Sequence, residues 1–214
     1  MIKKLFIIIF LLLTATASIG EGAYVTVHLP KGISLDVPRN WVSLSNNEKI
    51  DLTAFAEAAA EGIIDLEDEL EILHFAANYH NKEGKTEALV NLRYYPDNKL
   101  TQKDVKEEMY DLIIAMADTQ NESNMRKLLD NVGLKVLEWK GMRKESIGGL
   151  IAIVTEYRRT GSFADSGRVR LMMFNNGKDS FHMTVSYDDK KYNSFMLEAI
   201  TDKIVRSLSI GSDL

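Results

Sequence analysis

The sequence predicts an α+β fold in which an antiparallel β-sheet is flanked by helices on both faces. Three observations predict it. Apolar and polar residues alternate in several short segments, turns rich in Gly and Asn join these segments in pairs, and helical periodicities lie between the pairs. No strand–helix–strand alternation occurs, which argues against a parallel sheet. We therefore expect a single meandering sheet in an α/β/α sandwich.

The first 17 residues have the pattern of a cleaved secretory signal peptide. Two lysines at 3–4 precede nine apolar residues at 5–13, and small residues at 15–17 form a cleavage site. Nine helical residues reach about 14 Å, against about 30 Å of bilayer core, so no stable membrane span is expected. We predict a periplasmic or secreted protein whose residues 18–214 form a single domain.

Composition is typical of one domain with a sizeable core. A hydrophobic content of 45% and only three prolines argue against disorder. The net charge is −5, or −7 without the two signal-peptide lysines, so nothing indicates a nucleic-acid partner. The chain has no cysteine. An exported domain of this kind therefore depends on core burial for its stability, because it has no disulfides.

Two hairpins are predicted in the first half of the chain. Alternating residues at 24–29 and 33–37 flank a Pro-Lys-Gly turn, and residues 70–79 and 86–95 flank a loop that contains Gly. Between the hairpins, alanine content and apolar spacing predict a helix over 51–61.

A long helix is predicted after the second hairpin. Thr101 is typical of an N-cap with Asp104 at the third helical position, and Gly133 is expected to end the helix. We expect the polar run 118–124 to bend or interrupt it. The apolar stripe expected to face the core consists of Val105, Met109, Leu112, Ile113 and Met116.

Four strands and a final helix complete the predicted fold. In the last strand His182 and Thr184 are expected on the outer, polar face. The helix is expected to bury Met196, Ile200, Ile204 and Leu208. The predicted strands cover residues 134–145, 149–159, 168–174 and 180–187, and the helix covers 190–208.

Two stretches resemble the PsbP-like and DcrB-like family of α/β/α sandwich proteins. The segment GISLDVPRNW at 32–41 resembles the strand, proline and aromatic entry of that family. Residues 148–210, from GGLIAIV to SLSI, resemble its closing meander and C-terminal helix. The resemblance implies a binding or assembly role without catalysis, and it supplies no catalytic residue.

The sequence contains no strong catalytic motif. Without cysteine no thiol nucleophile is available, and no G-x-S-x-G, S-x-x-K or H-E-x-x-H pattern occurs. His28, His74 and His182 lie on predicted strands but lack the spacing of metal ligands, so ordinary strand positions are favoured over a zinc site. No catalytic residue, metal or cofactor is predicted.

Two charged groups are candidate partner surfaces. The acidic stretch contains Asp65, Glu67, Asp68 and Glu69, and it lacks the D-x-D-x-D-G order of a calcium loop. A docking surface for a basic partner is therefore favoured over a calcium site. Arg168 and Arg170 share one strand face. Ion pairs with neighbouring strands are favoured for them over a patch that contacts an acidic protein or a lipid headgroup.

These observations favour a non-enzymatic exported binding or accessory protein that assembles or modulates an envelope partner. One alternative is a periplasmic immunity protein or inhibitor that neutralises a toxic effector. A small-molecule binder or hydrolase with a cleft between sheet and helix is another, and a deep pocket with convergent titratable groups would favour it. The identity of the partner and the oligomeric state are left open.

Overall fold

The computed structural model describes residues 23–43, 73–161, 166–189 and 194–211. These ranges contain ten β-strands and three α-helices in an α+β arrangement, which confirms the predicted fold class. The strands are β1 Tyr24–Leu29, β2 Ile33–Pro38, β3 Val42–Ser43, β4 Leu73–His80, β5 Thr86–Tyr95, β6 Val136–Ile147, β7 Leu150–Thr160, β8 Ser166–Asn175, β9 Ser180–Asp188 and β10 Ser209–Ile210. The helices are α1 Gln102–Lys106, α2 Glu108–Asn131 and α3 Ser194–Arg206.

Seven of the described strands form one antiparallel sheet in the order β3-β4-β5-β9-β8-β7-β6. The predicted hairpins β4–β5, β6–β7 and β8–β9 are all present. The closing strand β9 lies between β5 and β8, so the second hairpin is joined to the later meander through the centre of the sheet.

The opening hairpin does not join this sheet, so the prediction of a single sheet is wrong. Strands β1 and β2 pair with each other, and β2 also pairs with β10, giving a separate three-stranded sheet. The reason lies in the inner side chains of β2. Ile33, Leu35 and Val37 are buried in the same core as Phe174 and Met183 of the large sheet. The hairpin therefore packs on a face of the large sheet, because that buries more apolar surface than an edge position would.

Both faces of the large sheet carry apolar residues, and each face is covered. Val154 and Met172 point into the main core, which α3 and the three-stranded sheet close. Ile153 and Tyr157 are an odd number of residues from Val154 along β7, so they point to the opposite face, where they pack beneath α1 and α2. Helices on both faces agree with the predicted sandwich.

The long helical segment begins and ends where the sequence predicts. Thr101 and Asp104 form a reciprocal capping box, and Gly133 lies beyond the last turn with φ of 73°. The break, however, falls at Glu107, whose backbone is extended. The prediction of an interruption over 118–124 is wrong, since α2 runs through that segment without a break.

The break at Glu107 also explains why the predicted buried stripe is wrong. Val105 belongs to α1, so the helical spacing counted from it does not continue into α2. Of the predicted stripe only Val105 is buried. In α2 the buried residues are Ile114 and Leu129. The predicted face of α3 is confirmed in part: Ile204 and Leu208 are buried and Ile200 packs partly buried against the main core, whereas Met196 is exposed. Leu197, Thr201 and Val205, which were not predicted, are also buried.

The predicted helix over 51–61, the acidic stretch and the signal peptide lie outside the described residues.

Candidate functional site

Helix α2 crosses the β6–β7–β8 side of the large sheet and is fixed to it at both ends. Near its C-terminus Leu129 packs with Val136, Tyr157 and Val169. Near its N-terminus Ile114 packs with Ile153 and Val105 in a separate cluster. The middle of the helix, residues 118–124, therefore spans the interval between two hydrophobic clusters.

The outward side of the first three turns of α2 is apolar. We call its four residues the outer patch: Met109, Leu112, Ile113 and Met116, whose exposed fractions are 66%, 67%, 47% and 82%. Their spacing of i, i+3, i+4 and i+7 places them side by side on one face of the helix. Scattered exposed apolar residues are normal on proteins, whereas a contiguous group of four large ones marks an interaction surface.

Acidic residues border the N-terminal part of the outer patch. Between residues 107 and 116 the chain carries three carboxylates, those of Glu107, Glu108 and Asp111, and no basic residue. Glu107 and Glu108 are exposed, and Asp111 is partly neutralised by Lys144 at 3.0 Å. A negatively charged border of this kind favours a partner surface that carries Lys or Arg.

On its inner side, the middle of α2 leaves a cavity of about 440 Å³ above the sheet, which we call the α2 cleft. Its walls are mainly apolar and include Leu128, Trp139, Ile153, Leu171 and Met173. The cleft exists because Asn121 and Asn124, short polar side chains, occupy the helix positions between the two hydrophobic clusters. The polar run that we expected to break the helix forms the roof of this cleft.

Asp118 holds the roof in place. Its carboxylate accepts hydrogen bonds from the Trp139 indole and from the Met142 backbone N–H, each at 2.9 Å. The β6–β7 pairing is irregular between Trp139 and Gly141, and Gly141 has φ of 87°. The irregularity turns the backbone of β6 toward the helix, which allows one carboxylate to bond to both groups.

Polar groups collect at the end of the cleft formed by β5 and β9. Arg93 is directly opposite His182 in the β5–β9 pairing, and Thr184 lies two residues further along β9. Burial, and secondarily the charge of Arg93, lowers the pKa of His182 to about 4, so its imidazole is neutral at pH 7. The prediction that His182 and Thr184 face outward is wrong, because α2 covers the face on which they lie.

The histidines on the strands do not come together. His28 lies in the three-stranded sheet, whereas His74 and His182 belong to the large sheet, where β5 separates their strands. Within residues 23–43, 73–161, 166–189 and 194–211, no three His, Cys, Asp or Glu side chains are arranged to hold a metal ion.

Comparison with known proteins gives a fold and no closer relationship. No family model and no curated protein matches the sequence. Among solved structures, the cyanobacterial PsbP protein CyanoP from Synechocystis superposes with a TM-score of 0.54 at 9% identity, covering 91% of this chain and 96% of that one. The fold is PsbP-like.

Two further solved structures are more distant. LpqN of Mycobacterium tuberculosis, described as involved in cell envelope biogenesis, gives a TM-score of 0.44 at 11% identity, with 87% of this chain and 89% of that chain covered. The Ran-binding protein Mog1p of Saccharomyces cerevisiae gives 0.42 at 7% identity, with 87% and 95% covered. TM-scores below 0.5 add nothing to the assignment of the PsbP-like fold.

Within the PsbP-like fold, Arg168 and Arg170 connect the large sheet to α3. Arg168 forms ion pairs with Glu198 at 2.6 Å and with Glu156 at 3.2 Å. Arg170 forms ion pairs with Asp202 at 2.7 Å and with Glu145 at 2.9 Å. The sequence favoured intrachain ion pairs of this kind. Arg170 is directly opposite Glu156 in the β7–β8 pairing, but the ion pair with Glu156 is formed by Arg168. A contact of either arginine with a partner stays a prediction.

Glu156 is the centre of this group of charges. Burial alone would raise the pKa of its carboxyl, but the hydrogen bond from Arg143 and the charges of Lys140 and Arg168 outweigh burial and hold the pKa below its usual value. Because the cations are matched by carboxylates on β6, β7 and α3, this region of the PsbP-like fold is better suited to fixing α3 than to capturing an external ion.

No helix of the described residues is both long and apolar enough to cross a membrane.

The sequence reasoning missed the outer patch, and it gave a cleft between sheet and helix only as an alternative, without the residues that form it. A signal for the cleft was present. Asn121 falls on the same side of α2 as the buried Ile114, seven positions earlier, and the strands beneath it are apolar. A short polar residue on the buried side of a helix leaves space that a larger apolar side chain would fill.

Proposed function

We propose that this protein is an exported, non-enzymatic accessory protein that binds a protein partner in the cell envelope through the outer patch of α2. The observation that carries the proposal is the exposure of four large apolar side chains on consecutive turns of one helix. The signal-peptide pattern of residues 1–17 supports export. Helix-in-groove recognition uses this same i, i+3, i+4, i+7 set of anchors.

The partner that fits is a protein with an apolar groove bordered by Lys or Arg. Leu112 and Met116 would fill the groove, and Glu107 and Glu108 would face its basic border. A second copy of this chain fits less well, because two outer patches in contact would bring their carboxylates together. An anionic lipid surface would be repelled by the same charges. The acidic residues Asp65, Glu67, Asp68 and Glu69 fit the same proposal, since they too favour a basic partner.

Site-specific crosslinking in intact cells tests this proposal. The photoreactive residue p-benzoyl-phenylalanine replaces Leu112 in one variant and Ser123 in a control, because Ser123 is an exposed polar residue seven positions after Met116 on the same helix. We expect a crosslink to a distinct protein from position 112 and none from position 123. A crosslink only to a second copy, or only to lipid, would contradict the proposed partner.

A charged residue placed in the outer patch should abolish partner binding, which complements the crosslinking experiment. Met116→Asp should abolish the crosslink from position 112, and Ser123→Asp should leave it unchanged. Rising salt should weaken capture, since oppositely charged borders contribute to it. Capture that is equal in both variants would show that the outer patch is not the contact surface.

A further inference from the structure

The α2 cleft has the size of a small-molecule site, on the opposite side of the helix from the outer patch. At about 440 Å³ it is within the range of about 300–1,000 Å³ that is typical of ligand pockets. The two hydrophobic clusters fix α2 at both ends, so its middle cannot settle onto the sheet between them. The space is therefore part of the fold, and it holds water or a ligand, because a dry cavity of this size is costly.

The walls of the cleft are apolar and adaptable. Met125 of α2, Met142 of β6 and Met173 of β8 line it from three different elements. Methionine is flexible and polarisable, so it adapts to bound groups of irregular shape. The Trp139 ring, which is stacked on Tyr157 with 5.8 Å between centroids, adds a fixed flat surface. Water finds few hydrogen-bonding partners on such walls, so an apolar group that replaces it gains free energy.

The cleft offers no counter-ion to a charged ligand. None of the described residues that line it is Asp or Glu, and Arg93 already has an interaction partner within the protein. Burial lowers the pKa of His182 to about 4, so its imidazole is neutral at pH 7. A charged group brought into the cleft would lose its hydration without gaining an opposite charge, which is costly. The lining therefore selects neutral ligands.

Two threonines place hydrogen-bonding groups on the floor of the cleft. Thr155 of β7 and Thr184 of β9 are each directly opposite Leu171 of β8, so the three form a row on the face that α2 covers. Because adjacent strands lie about 4.8 Å apart, the two threonines are about 10 Å from each other. A hydroxyl both donates and accepts hydrogen bonds, so either threonine suits a neutral polar group such as an alcohol or an amide.

We infer that the α2 cleft binds a neutral, mainly apolar small molecule, with its body among the methionines and one alcohol or amide group hydrogen-bonded to Thr155 or Thr184. The body displaces water from the apolar walls, and the polar group replaces the hydrogen bonds that water would make to the floor. Ligand binding by this cleft is separate from partner binding by the outer patch, because the two use opposite sides of the helix.

Two matched dyes test the inference on the purified, unmodified protein. N-phenyl-1-naphthylamine is neutral, and 1-anilinonaphthalene-8-sulfonate has the same aromatic body with an anionic group. Each dye is titrated into the protein and its fluorescence is followed. We expect saturable binding of the neutral dye at one site, and binding of the sulfonate dye that is weaker by about tenfold or more, because its charge would be desolvated without a counter-ion. Binding of the neutral dye that does not saturate, or a sulfonate dye that binds equally well, would overturn the inference.

Three eight-carbon compounds test the class of ligand by competition with the neutral dye. 1-Octanol, octanoate and octylammonium share one chain and differ in the charge of the head. We expect 1-octanol to displace the dye at concentrations lower by about tenfold or more than those that either ion requires. Equal displacement by octanoate would indicate an anion site, and equal displacement by octylammonium a cation site. Either result, or no displacement by 1-octanol, would overturn the inference.

Variants that fill the cleft from opposite walls locate the dye. Thr184→Trp adds volume from the floor and Asn121→Phe from the roof, and each should reduce the affinity for the neutral dye by about tenfold or more. The control is Ser123→Phe, which adds the same ring at an exposed position of α2 and should leave the affinity unchanged. If either filled variant melts as the parent does and still binds the dye as the parent does, the site is not the α2 cleft.

Removing both hydroxyls tests the contacts to the head of the ligand. The double variant Thr155→Val, Thr184→Val keeps the volume of the cleft, so the neutral dye should still saturate one site. Its affinity for 1-octanol should fall about fivefold, as expected for the loss of one neutral hydrogen bond. Unchanged affinity for 1-octanol would contradict the assigned contacts. Met116→Asp, which tests the outer patch, should leave dye binding unchanged, so failure of one proposal does not affect the other.

Discussion

The carboxylate of Asp118 accepts a 2.9 Å hydrogen bond from the indole N–H of Trp139, and this contact joins the middle of α2 to the edge strand β6. The same carboxylate oxygen accepts the Met142 backbone N–H. One side chain thus positions both the roof of the α2 cleft and one of its walls. The two surfaces of α2 that we propose to be functional depend on how firmly this helix is held.

Replacing Asp118 should loosen that attachment. Asp118→Ala removes the acceptor of two hydrogen bonds and should lower the free energy of unfolding by about 2–3 kcal/mol, as expected for bonds to a charged group. Urea denaturation measures the change. The control is Asp111→Ala, which removes only the exposed ion pair with Lys144 and should cost less than about 1 kcal/mol. Equal losses in the two variants would contradict the anchoring role of Asp118.

The outer patch should tolerate charge without loss of stability. Leu112 is 67% exposed and makes little contact with the core, so Leu112→Asp should change the free energy of unfolding by no more than about 0.5 kcal/mol. Ile114, two positions later, is buried, and Ile114→Asp should destabilise the domain by several kcal/mol or prevent folding. Thermal melting followed by circular dichroism compares the two. A large loss of stability in Leu112→Asp would indicate that Leu112 is buried, as we first predicted from the sequence.

Removing the Glu156 carboxylate should destabilise the protein at neutral pH. Glu156→Gln leaves Arg143, Lys140 and Arg168 without their shared anion, and we expect a loss of about 1–3 kcal/mol at pH 7. The pKa of Glu156 is lowered in the folded state, so its contribution is present above the unfolded pKa and is lost as pH falls through the folded value. The difference between parent and variant should therefore shrink below about pH 4.5. Chemical denaturation at several pH values measures it, and a difference independent of pH would contradict the ion-pair explanation.

Mild acid should destabilise the parent through His182. Its folded pKa of about 4 lies below the usual value of 6.5, so between these values the unfolded chain binds a proton that the folded protein excludes. Stability is complete above pH 6.5 and should fall by about 1–2 kcal/mol on going to pH 5. His182→Gln should remove this part of the pH dependence. Above pH 4.5 the lowered pKa of Glu156 keeps that carboxylate ionised, so the two effects can be separated.

Two adjacent glycines in the β6–β7 turn should respond differently to alanine. Gly148 and Gly149 have φ of 57° and 82°, so either substitution strains the backbone and should cost about 1 kcal/mol. A Cβ at Gly148 would also overlap the backbone carbonyl of Leu208, whereas a Cβ at Gly149 would meet open space. Gly148→Ala should therefore be less stable than Gly149→Ala by about 1–3 kcal/mol in urea denaturation. Equal stabilities would show that the segment after α3 moves away without cost.

The hairpins were predictable from the sequence because alternation and turn residues are local signals. The Asn-Gly turn between β8 and β9 is one example. The orientation of α2 was not predictable, because it depends on the single extended residue Glu107, which changes the phase of the helix. Nor could the position of the opening hairpin be predicted. Its pairing with β10 joins residues far apart in the chain, and no local pattern specifies such a contact.

The α2 cleft shows the same limit. Periodicity identified Asn121 as part of a polar run. It could not show that this side chain lines a cleft and donates a hydrogen bond to the sulfur of Met142. The ion pair of Arg168 with Glu156 was predictable in kind, since the two charges lie on the neighbouring strands β8 and β7. The pairs of Arg170 were not, because Glu145 lies on β6, beyond β7. Asp202, the partner of Arg170 on α3, could only be identified once the packing of that helix was known.

The backbone N–H of Asp36 donates to the hydroxyl of Ser207, 171 positions later in the chain, and β2 is completed by β10 beside it. During synthesis this three-stranded layer cannot close until β10 has been made, long after β1 and β2. Until then Ile33 and Leu35 lack part of the surface that buries them, and the unit stays incompletely folded. Such delayed closure would suit the export that we propose, because a translocation channel admits only an unfolded chain.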